Sequence, residues 1–499
     1  MGTLIGGLAC GHSQAADSLD APTSLSQAFQ SISTDRMLAD IRTLAGPEFY
    51  GRQTGTPYDL ASAEFVQRRF LQLSVDETLG TESSVPQDRL SGRAWLQSTT
   101  VRYKEIGQGS LLQLIMATGS SPALIGSDYL PVLDSPSADI QASIVFVGYG
   151  ISDPTGGIDE YAGMDVRNKV VLFLRGKPER YSKPISHADK ARIAQAHGAI
   201  GLLTATGPIL TAYEIRRGIT GRPSAFYGLT EPEQTIPGAW ISTALATSIL
   251  NGHQPDTADV LSTLQQHINQ SLEPQSRTTD ATVAMRWTCT QRNGAMHNVI
   301  SMLPGLDPVH GRETVVIGAH RDHFGQQGGL VFPGADDNAS GTAVLLEVAR
   351  VLASSPAGFQ RSIALVSFSG EEQGLLGSTF YVAHPAVALP STVAMLNVDH
   401  AGVGNGRFTV GVTGLEKSTA EEAGRKSGLA DRLDLFGFFP GGDHVPFKEA
   451  GVPTITVVSG GLHPHFHQPS DRPDTVSPDI LLAAARYVLA LCWQLAHVP

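Results

Sequence analysis

The sequence predicts an α/β protein with a mostly parallel central sheet flanked by helices, and a separate β-rich domain inserted into it. Three observations carry this expectation. From Asn298 onward, short β-branched apolar runs alternate with helical stretches, the pattern of a parallel sheet covered on both faces. Between about residues 119 and 275 the order changes to β–β–α–β, with apolar segments of its own. Finally, 499 residues exceed one ordinary domain, and 41% apolar with 16% charged residues is the balance of a folded globular chain.

In chain order, residues 1–30 read as a leader remnant and a disordered N-terminus. Met1–Ala16 is apolar and rich in small residues, with Ser13-Gln14-Ala15 as a cleavage site, and Gly7–Cys10 is a weak lipoprotein-type match. The positive segment that usually opens a leader is missing. The expected location is secreted or periplasmic.

Residues 31–118 open the main domain. Thr34 or Asp35 caps the helical run Met37-Leu38-Ile41-Leu44, a turn-rich loop follows at 49–57, and Leu60–Leu71 is an amphipathic helix. Val75–Gly92 reads as a polar surface loop. Trp95–Ile106 and Leu111–Ala117 read as a hairpin around Gly107-Gln108-Gly109.

Residues 119–275 form the insert, with strands at Ser143–Gly148, Lys169–Leu174 and Ala199–Thr204 and helices at Ala188–His197 and Leu261–Leu272. A return strand near Thr282–Trp287 begins the second part of the main domain, residues 276–499. That part carries strands at Val299–Met302, Thr314–Gly318, Ile363–Phe368, Val393–Val398, Phe408–Val412 and Thr454–Val458. Its helices are Gly341–Leu352, with Ser340 or Thr342 as N-cap, and Ile480–Leu495.

A net charge of −12, from 47 acids against 35 bases, argues against a nucleic-acid or anionic-membrane partner. No run approaches the roughly 20 apolar residues of a membrane span. Cys10, Cys289 and Cys492 include no CxxC, so a thiolate zinc site is not expected; Cys289 and Cys492 are expected as buried free thiols.

The chemistry gathers where the predicted strands end. His320 and Asp322 follow the strand at 315–317, and Gly334-Ala335-Asp336-Asp337-Asn338 precedes the next helix. Glu371-Glu372, Asp399-His400, Asp443-His444 and His463–Asp471 lie at later strand ends or adjoining loops. In open α/β sheets, ligands bind in that crevice. Imidazoles and carboxylates without thiolate suit zinc, or manganese or cobalt, and crowded carboxylates call for cations to neutralise them. Neither GxSxG nor HExxH occurs. Asp322 is placed to accept the second N–H of His320. Asp443 and Asp471 are candidates for similar support or for loop capping, and Arg321 is expected to face solvent or the substrate cleft.

Taken in order, His320-Arg321-Asp322, GADDNASG, SGEEQGLLGS, Asn397-Val398-Asp399 and His467-Gln468-Pro469-Ser470-Asp471 resemble the M28 family of di-zinc aminopeptidases. The likeness spans Asn298–Val498 and the segment from Leu44 to Val66. It implies a zinc-exopeptidase fold (phosphorylase/hydrolase-like) and two Zn²⁺ ions. His320 and Asp399 would hold one ion, Glu372 and His467 the other, and Asp337 would bridge them, with a cis peptide at Asp337–Asn338. It also implies Glu371 as general base for a water shared by the ions, and peptide substrates cleaved at the N-terminus. In many relatives a Tyr precedes the last histidine and supports the oxyanion. Here Phe466 stands there, so either the metal acts alone or a neighbour such as His465 substitutes. The insert, through FVGYGI and DEYAGMDVRNKVVLFLRG, resembles a protease-associated (PA) domain. The alternatives are a single-zinc glutaminyl cyclase and a non-catalytic binding protein of the same fold.

Overall fold

The computed structural model describes residues 24–74, 94–117, 119–211, 214–215, 219–228, 236–252, 259–355 and 358–498. The leader expected at Met1–Ala16 and the loop expected at Val75–Gly92 lie outside the described residues.

Two eight-stranded sheets organise the chain. At the centre of the first, Ser362–Phe368, Thr314–His320, Thr392–Asp399 and Thr454–Ser459 run parallel as neighbours. Every residue of Thr314–His320 and of Ser362–Phe368 is buried, as strands covered on both faces must be. Antiparallel strands flank this centre: Cys289–Leu303 beside Ser362–Phe368, and Phe408–Thr413 beside Thr454–Ser459. Helices Thr34–Leu44, Gly341–Ala353 and Pro478–Ala496 pack together against it, with Val344, Leu345, Val348, Leu481 and Val488 in one core.

The closing helix corrects one expectation. Its 19 residues, Pro478–Ala496, are long and apolar enough to cross a membrane. Here they pack on Gly341–Ala353 and Lys417–Ser427, so the apolar length serves the core of this domain.

The second sheet runs Gly119–Pro122, Leu111–Met116, Arg277–Trp287, Ala138–Phe146, Val170–Leu174, Gly201–Ala205, Gly238–Ile241 and Tyr129–Pro131. It therefore takes strands from both sides of the 119–275 stretch. The expected hairpin does not form. Ala94–Ile106 pairs along its whole length with Cys289–Leu303 in the first sheet, whereas Leu111–Met116 pairs with Arg277–Trp287 in the second. The glycine turn at 107–109 carries the chain from one sheet to the other, and Trp287–Cys289 brings it back. Cys492 is buried and Cys289 half-buried, both as free thiols.

Candidate metal centre

Three parallel strands set the tips of three segments side by side. His320 ends its strand in register with Phe368, so the turn carrying Glu371 and Glu372 emerges beside it. On the other flank, Thr392–Asp399 delivers Asp399. Asp337 comes from the buried turn Ala335–Ser340, which feeds the helix Gly341–Ala353. Neither Ser340 nor Thr342 caps that helix. Asn338 Oδ1 accepts the Gly341 N–H at 2.9 Å, while the Ser340 and Thr342 hydroxyls donate to the Asp336 and His320 carbonyls at 2.6 and 2.8 Å. The Ser340 hydroxyl is spent on closing the turn itself, and the Thr342 hydroxyl on holding the helix start to the neighbouring strand. The Asp471 carboxylate accepts the backbone N–H of Asp336 at 2.9 Å and of Asp337 at 3.1 Å. The Asp337–Asn338 peptide is cis.

The five candidate ligands converge. His320 Nε2 lies 3.4 Å from Asp337 Oδ1 and 3.3 Å from Asp399 Oδ1. His467 Nε2 lies 3.0 Å from Asp337 Oδ2 and 3.4 Å from Glu372 Oε2. One carboxylate thus faces two clusters, one oxygen to each. Glu371 Oε2 stands 4.0 Å from His320 Nε2. His320 and Asp337 are closed off, while Glu371, Asp399 and His467 line the side that opens to solvent. A cleft of about 50 Å³ reaches Glu371 and Asp399 there, between His400, Gly442 and Phe466.

Asp322 sits apart from the expected geometry. His320 Nδ1 lies 3.3 Å from the Asp322 main-chain oxygen and 3.7 Å from its carboxylate. The carboxylate instead accepts the Thr54 hydroxyl at 3.0 Å and the Glu371 N–H at 3.2 Å, which pins the backbone of the Glu371 turn.

The electrostatics are those of crowded acid. Burial, then the charges of Asp337 and Glu371, push the Glu372 carboxyl well above its ordinary range. Burial raises Glu371 to about 8 even though His320 pulls it down. Burial opposes the charge on His320, but the carboxylates of Glu371 and Asp399 hold its imidazole well above the usual value. Asp443, wholly buried, is pushed to about 7, chiefly by burial. The donor set fits divalent ions. Ligating atoms of His320, Asp337 and Asp399, and of His323, Asp337 and Glu372, gather within 4.8 Å in each group. Hard oxygens with imidazole nitrogens and no thiolate are what zinc accepts, and cations would relieve the mutual repulsion.

The sequence reading misplaced several participants, gave others no role and passed over Arg52, His323 and Ala225. Arg321, expected at solvent or cleft, is fully buried; it pairs with Asp59 at 2.7 Å and donates to the Ser367 and Phe368 carbonyls at 3.2 Å. Arg52 is equally buried and donates to the carbonyls of Arg321, Pro333 and Gly334 at 2.6, 2.6 and 2.8 Å. The two guanidinium groups tie the His320, Asp337 and Glu371 loops to the N-terminal segment. His323 Nδ1 donates to Glu372 Oε1 at 2.7 Å, leaving Oε2 toward His467. Asp336 accepts from His463 Nδ1 at 2.7 Å, with His400 Nδ1 at 3.3 Å, in a third cluster beneath Asp337. Phe466 stacks on His467 with ring centroids 3.6 Å apart, and His465 is engaged with the Ser470 hydroxyl at 2.9 Å. His467, held at φ +55°, gives its Nδ1–H to the Ala225 carbonyl at 2.8 Å, so the inserted domain orients it. Only adjacency to a motif hinted at any of these.

Residues 298–492 match peptidase family M28, and residues 138–249 match the PA domain. Aminopeptidase YwaD of Bacillus subtilis is 33% identical over 173 residues, 32% of this chain and 38% of that protein. A probable leucine aminopeptidase of Arthroderma otae is 34% identical over 212 residues, 40% of this chain and 57% of that one. The aligned stretches thus span 38% and 57% of these relatives, less than two-thirds of either. Over nearly the whole length, the fold is similar to an aminopeptidase from Aneurinibacillus sp. strain AM-1, with TM-score 0.65, 20% identity and coverage of 95% and 97% of the two chains. BSAP, a zinc aminopeptidase from Bacillus subtilis, superimposes with TM-score 0.63 at 21% identity over 93% of this chain and 96% of that one. The chain accordingly carries a peptidase family M28 domain over residues 298–492 and a PA domain over residues 138–249.

Proposed function

We propose that the protein is a metal-dependent aminopeptidase that removes N-terminal residues from peptides, with Glu371 as general base. The observation that carries this reading is Asp337, whose two oxygens face His320 and His467 separately at 3.4 and 3.0 Å. His320 with Asp399, and Glu372 with His467, would each hold one ion on either side of that carboxylate, zinc being the ion named for BSAP. Two such ions, when bound, polarise a peptide carbonyl and acidify a water. Glu371 is fixed by its backbone N–H on Asp322 and turns its carboxylate toward His320 at the open side of the site. From there it takes a proton from the attacking water and returns it to the leaving amine. Phe466 has no hydrogen to give an oxyanion, and its ring instead keeps the His467 imidazole in plane.

The test is Glu371→Gln, with metal counted by atomic spectroscopy and hydrolysis followed on L-leucyl-p-nitroanilide. Two ions per chain with about a 10²–10⁴-fold loss of kcat is expected, as for removal of a general base. An N-acetylated substrate should not be cleaved by the unmutated enzyme. Hydrolysis that survives Glu371→Gln overturns the base assignment, and a single ion per chain overturns the two-ion centre.

A further inference from the structure

The PA domain contains a cavity of about 730 Å³ that the proposed reaction does not use. Aromatic rings of Tyr149, Phe226 and Trp240 form much of its wall. Polar atoms there lack partners: the Thr204 hydroxyl and Trp240 Nε1 are buried without a hydrogen bond, on side chains 1% and 3% exposed. Leaving such groups unsatisfied costs free energy that an occupant would recover. Lys190, 2% exposed, also lines the cavity. Its ammonium donates to the Leu174 and Gly176 carbonyls, and among the described residues no carboxylate is in ion-pair contact with it. Burial lowers this amine to about 7, against the pull of the Glu160 and Glu214 carboxylates, neither of which touches it, so an anion brought into contact would favour its charged form.

One wall residue of the cavity adjoins, along the chain, a contact to the metal centre. Phe226 packs edge-on against Trp240 with centroids 5.2 Å apart. The preceding residue, Ala225, donates its N–H to the His467 carbonyl at 2.9 Å and accepts the His467 Nδ1–H at 2.8 Å. The wall of the cavity and the acceptor that fixes a candidate metal ligand are consecutive residues.

We propose that this cavity binds a small carboxylate bearing an aromatic or branched apolar group, and that its occupancy is felt at His467 through Ala225–Phe226. The carboxylate lies toward Lys190, the apolar group lies against Phe226 and Trp240, and Thr204 and the Trp240 N–H supply hydrogen bonds. An occupant pressed on Phe226 holds Ala225 against His467 and so favours the metal-retaining geometry. By linkage, metal then favours the occupant equally. The coupling rests on His467 being a metal ligand; the binding does not.

N-acetyl-L-phenylalanine is a suitable probe, since its blocked amine makes it no substrate for an aminopeptidase. Calorimetry on the metal-loaded protein should give one site with a submillimolar Kd. The Kd should weaken at least tenfold in Lys190→Met and several-fold in the isosteric Thr204→Val. Metal-free protein should still bind, a few-fold more weakly, and saturating probe should slow metal loss to a chelator at least threefold, an effect absent in Lys190→Met. Unaltered binding in both variants, no heat at 10 mM probe, or loss of all binding with the metals overturns the cavity. Probe binding without any change in metal loss overturns the coupling. A chain that holds no divalent ion would sink the proposed function instead, with the Lys190 comparison still decisive for the cavity.

Discussion

Both large sheets bury a cation, and the two are treated differently. In the M28 domain Arg321 is matched in charge by Asp59 at 2.7 Å, and its remaining hydrogens go to the carbonyls of Ser367, Phe368 and His297 and to the Ser62 hydroxyl. In the PA domain Lys190 finds two carbonyl oxygens and no touching carboxylate among the described residues. The first arrangement is closed and serves as a brace. The second is open, and it lies in a cavity. A completed charge pair marks scaffolding, whereas an incomplete one marks a place where something else can enter.

Breaking the brace should give the largest effect. Arg321→Met leaves the Asp59 carboxylate buried without its partner, so a loss of about 3–5 kcal/mol is expected, as for other buried pairs broken on one side. Adding Asp59→Asn should restore part of that, because no uncompensated charge then remains. Urea denaturation of the two variants checks it. A double variant no more stable than Arg321→Met would mean that the carbonyl contacts of Arg321, not its charge, hold the loops.

His323 offers the next effect. Its Nδ1–H to Glu372 Oε1 at 2.7 Å selects which oxygen of Glu372 faces His467, so it acts through Glu372. Partners of this kind are worth about 10–100-fold in metal affinity. His323→Ala should weaken the second ion by that factor in a metal titration, leaving the first near its original affinity, and His323→Asn, whose amide can reach the same oxygen, should recover part of it. Equal weakening of both ions would show a general loss of packing around Phe324 instead.

What the sequence made legible and what it hid divide by distance along the chain. The ligand candidates lie next to one another in space because each ends a strand of one sheet or sits in a turn or loop beyond one, and periodicity with a nearby His, Asp or Glu is a local signal. Arg321 was misread because its partner, Asp59, is 262 residues away and nothing beside it announces burial. The 94–106 and 111–116 strands were misread as a hairpin because a glycine turn looks the same whether its strands pair or part into two sheets. Ser340 and Thr342 carry the residue types of a cap, yet the first turn of their helix meets Asp336 and the His320 strand, and those contacts claim the hydroxyls. The contact from Ala225 to His467 leaves no trace in either segment, because it is made by a main-chain carbonyl that any residue would supply.

The PA domain supplies the smallest test, through the acid that shares the neighbourhood of Lys190. Glu160 is buried and accepts the backbone N–H groups of Tyr149 and Ile151 at 2.9 Å. Burial raises its carboxyl to about 7, against the opposing pull of those N–H groups and of Lys190. The folded chain therefore holds this proton more tightly than the unfolded chain. Its contribution to stability is fully present below the ordinary glutamate range and is lost as pH rises through about 7. Glu160→Gln, which keeps an acceptor oxygen and cannot ionise, should remove that slope, worth on the order of 1 kcal/mol between pH 5.5 and 7.5. Thermal unfolding at several pH values, read at a PA-domain tryptophan such as Trp240, measures it. If the slope survives the substitution, another group carries it, and Glu160 is not the acid that answers Lys190 in the way Asp59 answers Arg321.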